Sequence, residues 1–571
     1  MKRLVIIIFF LIFGGSLLAQ PAFDIPGFFN EDGSVHEILD PLLPWGDTVN
    51  VLDYGVDILD NDFDDRPGIQ AAVSAAGAGD LVYFPNGVYN LLSSHTSSST
   101  SHIMLSDGYH LHGESMEGTI LKSQFPLTIN QNETTKTVKL QGLYAVTINS
   151  LTFSSDYSGA YSTNPTINNP DRSAPGVHLY IDDSGSTPSR RVVVDSCRFE
   201  KFRAAAIRLA NSSDCIVRNS DFRMATDVGG GGSGYGITVQ GNGHNVDSYG
   251  LARDSRYNLI EDNSFTGPYI RHGVVVQYYS HNNLIRNNIL TDNVLDALDL
   301  HGEDEYNNEI CYNEIRDVTS GGGVGVGNTG ALHDASGYYN YIHHNVFINC
   351  REGVRVYLGS PHTRIEHNRV ENCTVSSGKG FYIQNAPHTI LKNNIIRYNN
   401  SSGFAGIYLK YDPGTLGGYA GNPEFVWIDS NQIYYNTNGV IIENGTSIYY
   451  GPDNLVYSNT DYDTLFGVNV TWWEPVEIVP VVLAGQPFVI SSYPNPYNTS
   501  FVLNLNGLSR SETSIVIIDI CGRRLKMLFQ GVLEAGNHRL TVQTPELASG
   551  IYFIHCRQSL ESRTHKVVLN R

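Results

Sequence analysis

A short phrase recurs along the middle of this chain: residues 259–265 read Leu-Ile-Glu-Asp-Asn-Ser-Phe, 284–290 read Leu-Ile-Arg-Asn-Asn-Ile-Leu, and 309–315 read Glu-Ile-Cys-Tyr-Asn-Glu-Ile. It returns at 342–347, 365–370, 391–396 and 428–433. Its asparagine is read at Asn219, Asn263, Asn288, Asn313, Asn345, Asn368, Asn394, Asn431 and Asn459. Steps of about 22 to 26 residues recur, with longer ones where a loop is inserted or a coil skipped. One such unit is too short to bury its own apolar face, so neighbours must stack on each other, and the chain is expected to be a solenoid.

A second phrase appears once per step: a glycine followed by alternating apolar residues, at 236–240, 273–277, 323–327 and 353–357, with 297–301 in the same slot. Two strands per repeat, each with period-two alternation and an Asn at the bend, describe coils stacked in register. Asn at inward bends satisfies backbone groups that stacking would otherwise bury unpaired. The ladder is therefore read as structural.

Composition agrees with a mainly β protein: charged residues are only 16% of 571, and 56 Gly and 34 Tyr favour turns and strands over helices. A net charge of -20 repels nucleic acid and anionic lipid, so neither is expected as a partner. Met1-Lys2-Arg3, the apolar run 4–13 and the small residues 14–16 have the form of a secretory signal peptide over residues 1–20. No later segment reaches the roughly 20 apolar residues of a membrane span, and a monomer is expected. The seven cysteines are scattered and odd in number, which argues for packing rather than a disulfide framework. Cys350 and Cys373 each lie five residues after a repeated Asn, which stacks them in adjacent coils and leaves their bonding open.

Upstream, residues 51–56, 64–73 and 81–89 follow in the order strand, amphipathic helix, strand. This order resembles the start of the pectate-lyase superfamily, which implies a right-handed parallel β-helix with an N-terminal capping helix that hides the first open edge. After about residue 475 the Asn phrase stops. Tyr493-Pro494-Asn495-Pro496, Ile518-Asp519-Ile520-Cys521-Gly522-Arg523, residues 547–553 and the ending Lys566-Val567-Val568-Leu569 resemble the type A sorting domain of the type IX secretion system. That resemblance implies a small C-terminal β-sandwich read by the type IX machinery, and a product released from, or attached to, the outer-membrane surface. The expected division is signal peptide 1–20, β-helix 45–475, linker 476–490 and sorting domain 491–571.

In a strand written Gly-apolar-x-apolar-x, the x residues point away from the core and form outward rows about 4.8 Å apart. One row reads Thr238, Val275, Asp299, Gly325, Arg355, Tyr382, Tyr408; its companion reads Gln240, Gln277, His301, Gly327, Tyr357, Gln384, Lys410. Tyr235, His272, Asp296, Gly322, Glu352 and Lys379 stand just before the strands. Together they describe a groove of glycan size, flanked by two glycines, Gly325 and Gly327, that leave room for a ligand. Its densest stretch, residues 296–306, holds Asp296, Asp299, His301, Glu303, Asp304 and Glu305. Crowded carboxylates drive each other's pKa apart, and a pair of unequal pKa is what glycoside hydrolysis needs for its acid and base. Asp296, Asp299 and His301 are the catalytic candidates. Arg271, His272, Gln277, Glu352, Arg355 and Tyr357 are candidate substrate contacts, with His333 and Asp334 reaching over from a loop. Glu303, Asp304 and Glu305 are candidate oxygen ligands for Ca2+, although their spacing is not that of a calcium loop and no cofactor is required.

The coils also resemble the polygalacturonase family of glycoside hydrolases, whose successive coils carry N-T-D-G, D-D, G-H-G and R-I-K phrases. Here those coils hold His272 in place of the first Asp, Leu295-Asp296, Gly321-Gly322-Gly323 and Arg355-Val356-Tyr357. The resemblance implies a distant β-helix hydrolase with a shifted carboxylate set, in which Asp299 replaces the missing acid. Three functions follow: a glycoside hydrolase on polysaccharide, a calcium-dependent polysaccharide lyase with Arg355 or His272 as base, or a non-catalytic surface adhesin using Tyr357, Tyr382 and Tyr408. A lyase acting on polyuronate calls for a basic groove, and the rows read as mostly acidic and neutral, so hydrolysis ranks first.

Overall fold

The protein is described from a computed structural model covering residues 46–472 and 489–570, apart from 93–99, 126–134, 186, 231, 242–253, 303–304, 329–338 and 415–419 in the first span and 494, 496, 509, 519–523, 546 and 559–560 in the second. The signal-peptide reading and the candidates Glu303, Asp304, His333 and Asp334 lie outside the described residues. The chain separates into two compact units, with the division between Glu477 and Ile478.

The larger unit is a parallel β-helix. Three long sheets run its length: one of 15 strands from Thr48–Asn50 to Val470–Trp472, one of 13 from Thr100–Met104 to Tyr462–Phe466, and one of 13 from Gly87–Leu91 to Leu455–Tyr457. A complete coil contributes one strand to each of these sheets, and four coils add a short strand to a further sheet, Ser189–Arg190, Ser212–Ser213, Ser255–Arg256 and Ser280–His281, so a repeat holds three or four strands where the sequence reading gave two. The cause lies in the Asn phrase itself. Leu284–Arg286 and Ile289–Thr291 are separate strands, because Asn287 between them takes φ 55° and turns the chain onto a second sheet. A helix, Arg66–Ala75, stands at the N-terminal end and sinks Ile69, Ala72 and Val73 into the core, as the capping expectation requires.

The Asn ladder is real, and its register differs at both ends from the sequence reading. Asn263, Asn288, Asn313, Asn345, Asn368, Asn394 and Asn431 stack, each after the first accepting through Oδ1 from the backbone N–H and Nδ2 of the Asn one coil before it, while its own Nδ2 donates to a strand carbonyl such as Val217 O or Ile260 O. Ser220, not Asn219, precedes the series, and Asn454, not Asn459, follows it. Asn219 is the left-handed residue beside the ladder and bonds outward to Asp195. Asn459 ends another ladder, Asn399–Asn436–Asn459, and a further one runs through Asn258, Asn283, Asn308 and Asn340. Two adjacent asparagines look alike in a sequence; the one whose φ is positive faces out.

Inside, Phe153, Phe199, Phe222 and Phe265 stack at 4.7–5.1 Å, a column continued by buried Leu290, Ile315 and Phe347. Each such ring removed from water stabilises the fold by about 2–3 kcal/mol. The glycine opening each long strand faces this column at close range: a Cβ on Gly236 would come within 2.7 Å of Phe265, and one on Gly323 within 2.3 Å of Phe347. The six described cysteines are free and buried, Cys350 and Cys373 included, and burial holds the Cys373 thiol up at about 12.

The smaller unit has two antiparallel sheets, of three and four strands, spanning Val489–Tyr493 to Glu561–Leu569. Leu503 and Leu505 of one sheet share a core with Ile515, Ile517, Ile554 and Val567 of the other, which makes it a β-sandwich.

Candidate functional site

The long-strand sheet carries both outward rows as the alternation dictates. Thr238, Val275, Asp299, Gly325, Arg355, Tyr382 and Tyr408 are register partners in turn, each directly across from the next. In the companion row Gln240 faces Gln277, His301 faces Gly327, Gly327 faces Tyr357 and Gln384 faces Lys410. Ahead of the strands Tyr235 faces His272, and Gly322 faces Glu352, which faces Lys379.

Asp296 and Asp299 meet at the centre of this face, and one donor atom from each lies within 4.8 Å of the other and of a His272 ring nitrogen. Asp299 is only 8% exposed. Burial is the main cause that raises its carboxyl to about 7, opposed by the charge of Arg271. Asp296 is raised to about 6, first by burial and then by the charge of Asp299; the Gly322 N–H, which donates to its Oδ1, and the charge of Arg355 pull it back. The environment therefore separates two like groups. Asp296 has a donor and a cation favouring its charged form, whereas Asp299 keeps its proton to higher pH. His272 donates from Nδ1 to the Asp296 carbonyl at 2.7 Å, and its Nδ1 is 3.9 Å from Asp299 Oδ2. Burial lowers it to about 3, so the ring is neutral at physiological pH, with Nε2 carrying the lone pair.

Two glycines stand beside this pair. A Cβ on Gly325 would sit 3.1 Å from Asp296 Oδ2 and 3.3 Å from Asp299 Oδ1, so no side chain of that strand covers the two carboxyls, and one added there would press on both. A Cβ on Gly327 would sit 2.6 Å from the Tyr357 ring, which lies over that glycine. The sequence reading noted both as room for a ligand and named neither as part of the site; the signal that finds Gly325 is its position one coil beyond Asp299.

Beyond the glycines the face turns cationic and aromatic. The Arg355 guanidinium lies 4.2 Å from the Tyr357 ring centre and 5.5 Å from that of Tyr382, and donates to Gln384 at 3.0 Å. Lys379 and Lys410 flank the Tyr408 ring at 4.8 and 5.9 Å. The rows taken as mostly acidic and neutral thus carry three cations on their C-terminal side. Glu352 stands among them, raised by burial and drawn down by Arg355.

The remaining candidates divide. Arg271 spends its hydrogen bonds on the carbonyls of Gly229, Val228 and Pro165, so it ties a loop to the sheet and reaches Asp299 through its charge alone. Gln277 donates to Gln240 at 2.9 Å, one coil removed from the carboxyls. His301 stands half-buried in its row, and its charge acts on Asp296. Glu305, a candidate oxygen ligand for Ca2+, is fully buried. The donor set that does converge, an imidazole and two carboxylates, suits a transition ion better than calcium, which prefers oxygen alone.

Residues 180–370 match the right handed beta helix region family, and residues 491–570 match the secretion system C-terminal sorting domain. The chain is thus a right-handed parallel β-helix with a tail that marks it for secretion and outer-membrane surface attachment. No helix among the described residues is long and apolar enough to cross a membrane. Among solved structures it is similar to the Azotobacter vinelandii mannuronan C-5 epimerase AlgE6 A-module, at 16% identity over 75% of this chain and 99% of that one, TM-score 0.42. It is also similar to the Streptococcus pneumoniae surface protein and adhesin PfbA, at 16% identity over 75% of this chain and 100% of that one, TM-score 0.44. A third similar structure is the catalytic unit of the GH87 alpha-1,3-glucanase of Streptomyces thermodiastaticus, at 12% identity over 76% and 71% of the two chains, TM-score 0.42. No curated protein matches the chain in sequence.

Proposed function

We propose that this exported β-helix is a polysaccharide-cleaving glycoside hydrolase whose acid and base are Asp299 and Asp296. The observation that carries the reading is the meeting of Asp299 and Asp296 within 4.8 Å of each other and of His272, beside the side-chain-free Gly325, with burial raising the two carboxyls to about 7 and about 6. A raised carboxyl is protonated near neutral pH and can protonate the leaving oxygen, while its partner, held toward the charged form by the Gly322 N–H and Arg355, acts as base or nucleophile. Neutral His272 orients the pair through the Asp296 carbonyl. The partly exposed Tyr357 and Tyr382 would offer ring surface to sugars, with buried Tyr408 packed between Lys379 and Lys410, and Arg355 and Lys410 would meet an acidic sugar. The substrate favoured by that row is an anionic polysaccharide, a uronan or a sulfated glycan.

The same cations support a second reading, β-elimination from a uronan. There the protonated Asp299 and Arg355 would offset the uronate charge, and a neutral histidine would take the C5 proton. The two are separated by incubating the full chain with neutral, uronic and sulfated polysaccharides, with and without chelator. New reducing ends without ultraviolet absorbance of an unsaturated end support hydrolysis. Unsaturated ends mean elimination, and their loss with chelator would bring in the calcium expected at the acidic phrase. No product from any substrate, with tight glycan binding, would favour an adhesin and sink the enzymatic reading.

A further inference from the structure

On a different face of the solenoid, the strands Glu309–Cys311 and Tyr341–His343 bring a carboxylate, a thiol and an imidazole together. Glu309 and Cys311 are two residues apart and share one side of their strand, and Cys311 stands directly across from His343 in the parallel register. The three are 0–1% exposed, and one donor atom from each lies within 4.8 Å of the other two. The core side of these strands is taken by Ile310 and Ile342, so the trio belongs to the outer side of the 15-stranded sheet and has no part in the carboxylate pair of the long-strand sheet.

We propose that Glu309, Cys311 and His343 form a structural zinc site. Three arguments converge. The donor set is one zinc accepts, and a thiolate selects it over calcium or magnesium. Charge also balances: a carboxylate, a thiolate and a dication sum to zero, which removes the cost of burying the anions singly. On binding, the Cys311 S–H bond breaks and its proton leaves to solvent as the S–Zn bond forms, with no redox change. Finally, the imidazole has a supporting partner. His343 Nε2 donates to Glu309 Oε1 at 2.7 Å, and its Nδ1 lies 2.8 Å from His344 Nδ1, so when a metal binds the ring proton can pass to Nδ1 and be donated to His344, which frees the Nε2 lone pair for the ion. Tyr341 stacks on the His343 ring at 4.1 Å and fixes its plane.

The place gives the site a purpose. The step from Asn313 to Asn345 is 32 residues against 25 for the step before it, so this coil carries an insertion. A metal joining Glu309 and Cys311 to His343 pins the two coils on either side of that longer excursion, where loop closure is most costly.

The test uses the full chain, stripped with chelator and titrated with Co2+ as a spectroscopic substitute, then with Zn2+. The expected result is a thiolate-to-metal charge-transfer band that saturates at one equivalent of Co2+ for this site, whatever binds at His272, Asp296 and Asp299, is displaced by Zn2+, and goes with a melting temperature raised by Zn2+ and not by Ca2+. The band is expected to vanish in Cys311→Ala and His343→Gln, either of which suffices if the other does not fold, and to persist in Asp299→Asn. Absence of the band in the wild type overturns the proposal. So does a band that survives in folded Cys311→Ala, or Co2+ binding abolished by Asp299→Asn alone.

Discussion

Asp299 lies directly across the parallel register from Gly325, where a Cβ would stand 3.1 Å from Asp296 Oδ2 and 3.3 Å from Asp299 Oδ1, so the glycine keeps that strand's side chains off both carboxyls. Gly325→Val is therefore expected to fold, at a cost of about 1–3 kcal/mol for overpacking. It should lose about 100-fold or more in kcat/KM, because the substrate atom and the added methyls compete for one space. Melting curves and initial rates on the same preparation check both halves.

The two carboxyl values fix a pH profile. The acid, Asp299, must be protonated, so activity falls as pH rises through about 7; the base, Asp296, must be ionised, so activity falls as pH drops below about 6. A narrow bell with its maximum between those limbs is the expected kcat/KM profile. Asp296→Asn should remove the acidic limb from whatever activity remains.

The same burial makes a statement about stability. For a carboxyl whose folded value stands above its unfolded one near 3.8, the contribution is fully present below that unfolded value and is lost as pH rises through about 7. Asp299→Asn keeps the shape and removes the charge, so it should leave stability unchanged at pH 3 and raise it by ~2–4 kcal/mol at pH 8. Urea unfolding at the two pH values is the measurement. Equal stabilisation at both would mean that the carboxyl is not held neutral by its surroundings.

The ladder register is testable in one pair of variants. Asn288→Ala removes the acceptor for the Asn263 backbone N–H and Nδ2 and the donor to Ile260 O, all buried, and should cost about 3 kcal/mol or more. Asn219→Ala loses one exposed bond and a left-handed preference, about 1 kcal/mol. Equal costs would restore the register read from the sequence.

How much was legible before folding can be judged residue by residue. The outward rows were legible because a single alternating strand per coil, opened by a glycine, leaves one choice of register. The Asn phrase was legible as a ladder and misread in its ends and strand count, since neighbouring polar residues such as Asn287 and Asn288 differ only in which takes the left-handed turn. The carboxylate pair could be read from spacing. That Gly325 leaves room in the row was legible too; that it stands against Asp296 as well as Asp299 was not, because Asp296 lies before its strand and its carboxyl is placed only by the fold. That Arg271 also ties down the loops around Pro165 and Gly229 could not be read, because those residues come close only once the chain is folded.

The central claim is that Asp299 delivers the proton in bond cleavage, and the most direct measurement is the turnover of Asp299→Asn on the polysaccharide that the wild type degrades, with glycan binding followed in parallel. The account expects kcat to fall by about 100-fold to 10,000-fold with binding retained. An Asp299→Asn protein that cleaves at the wild-type rate would contradict it.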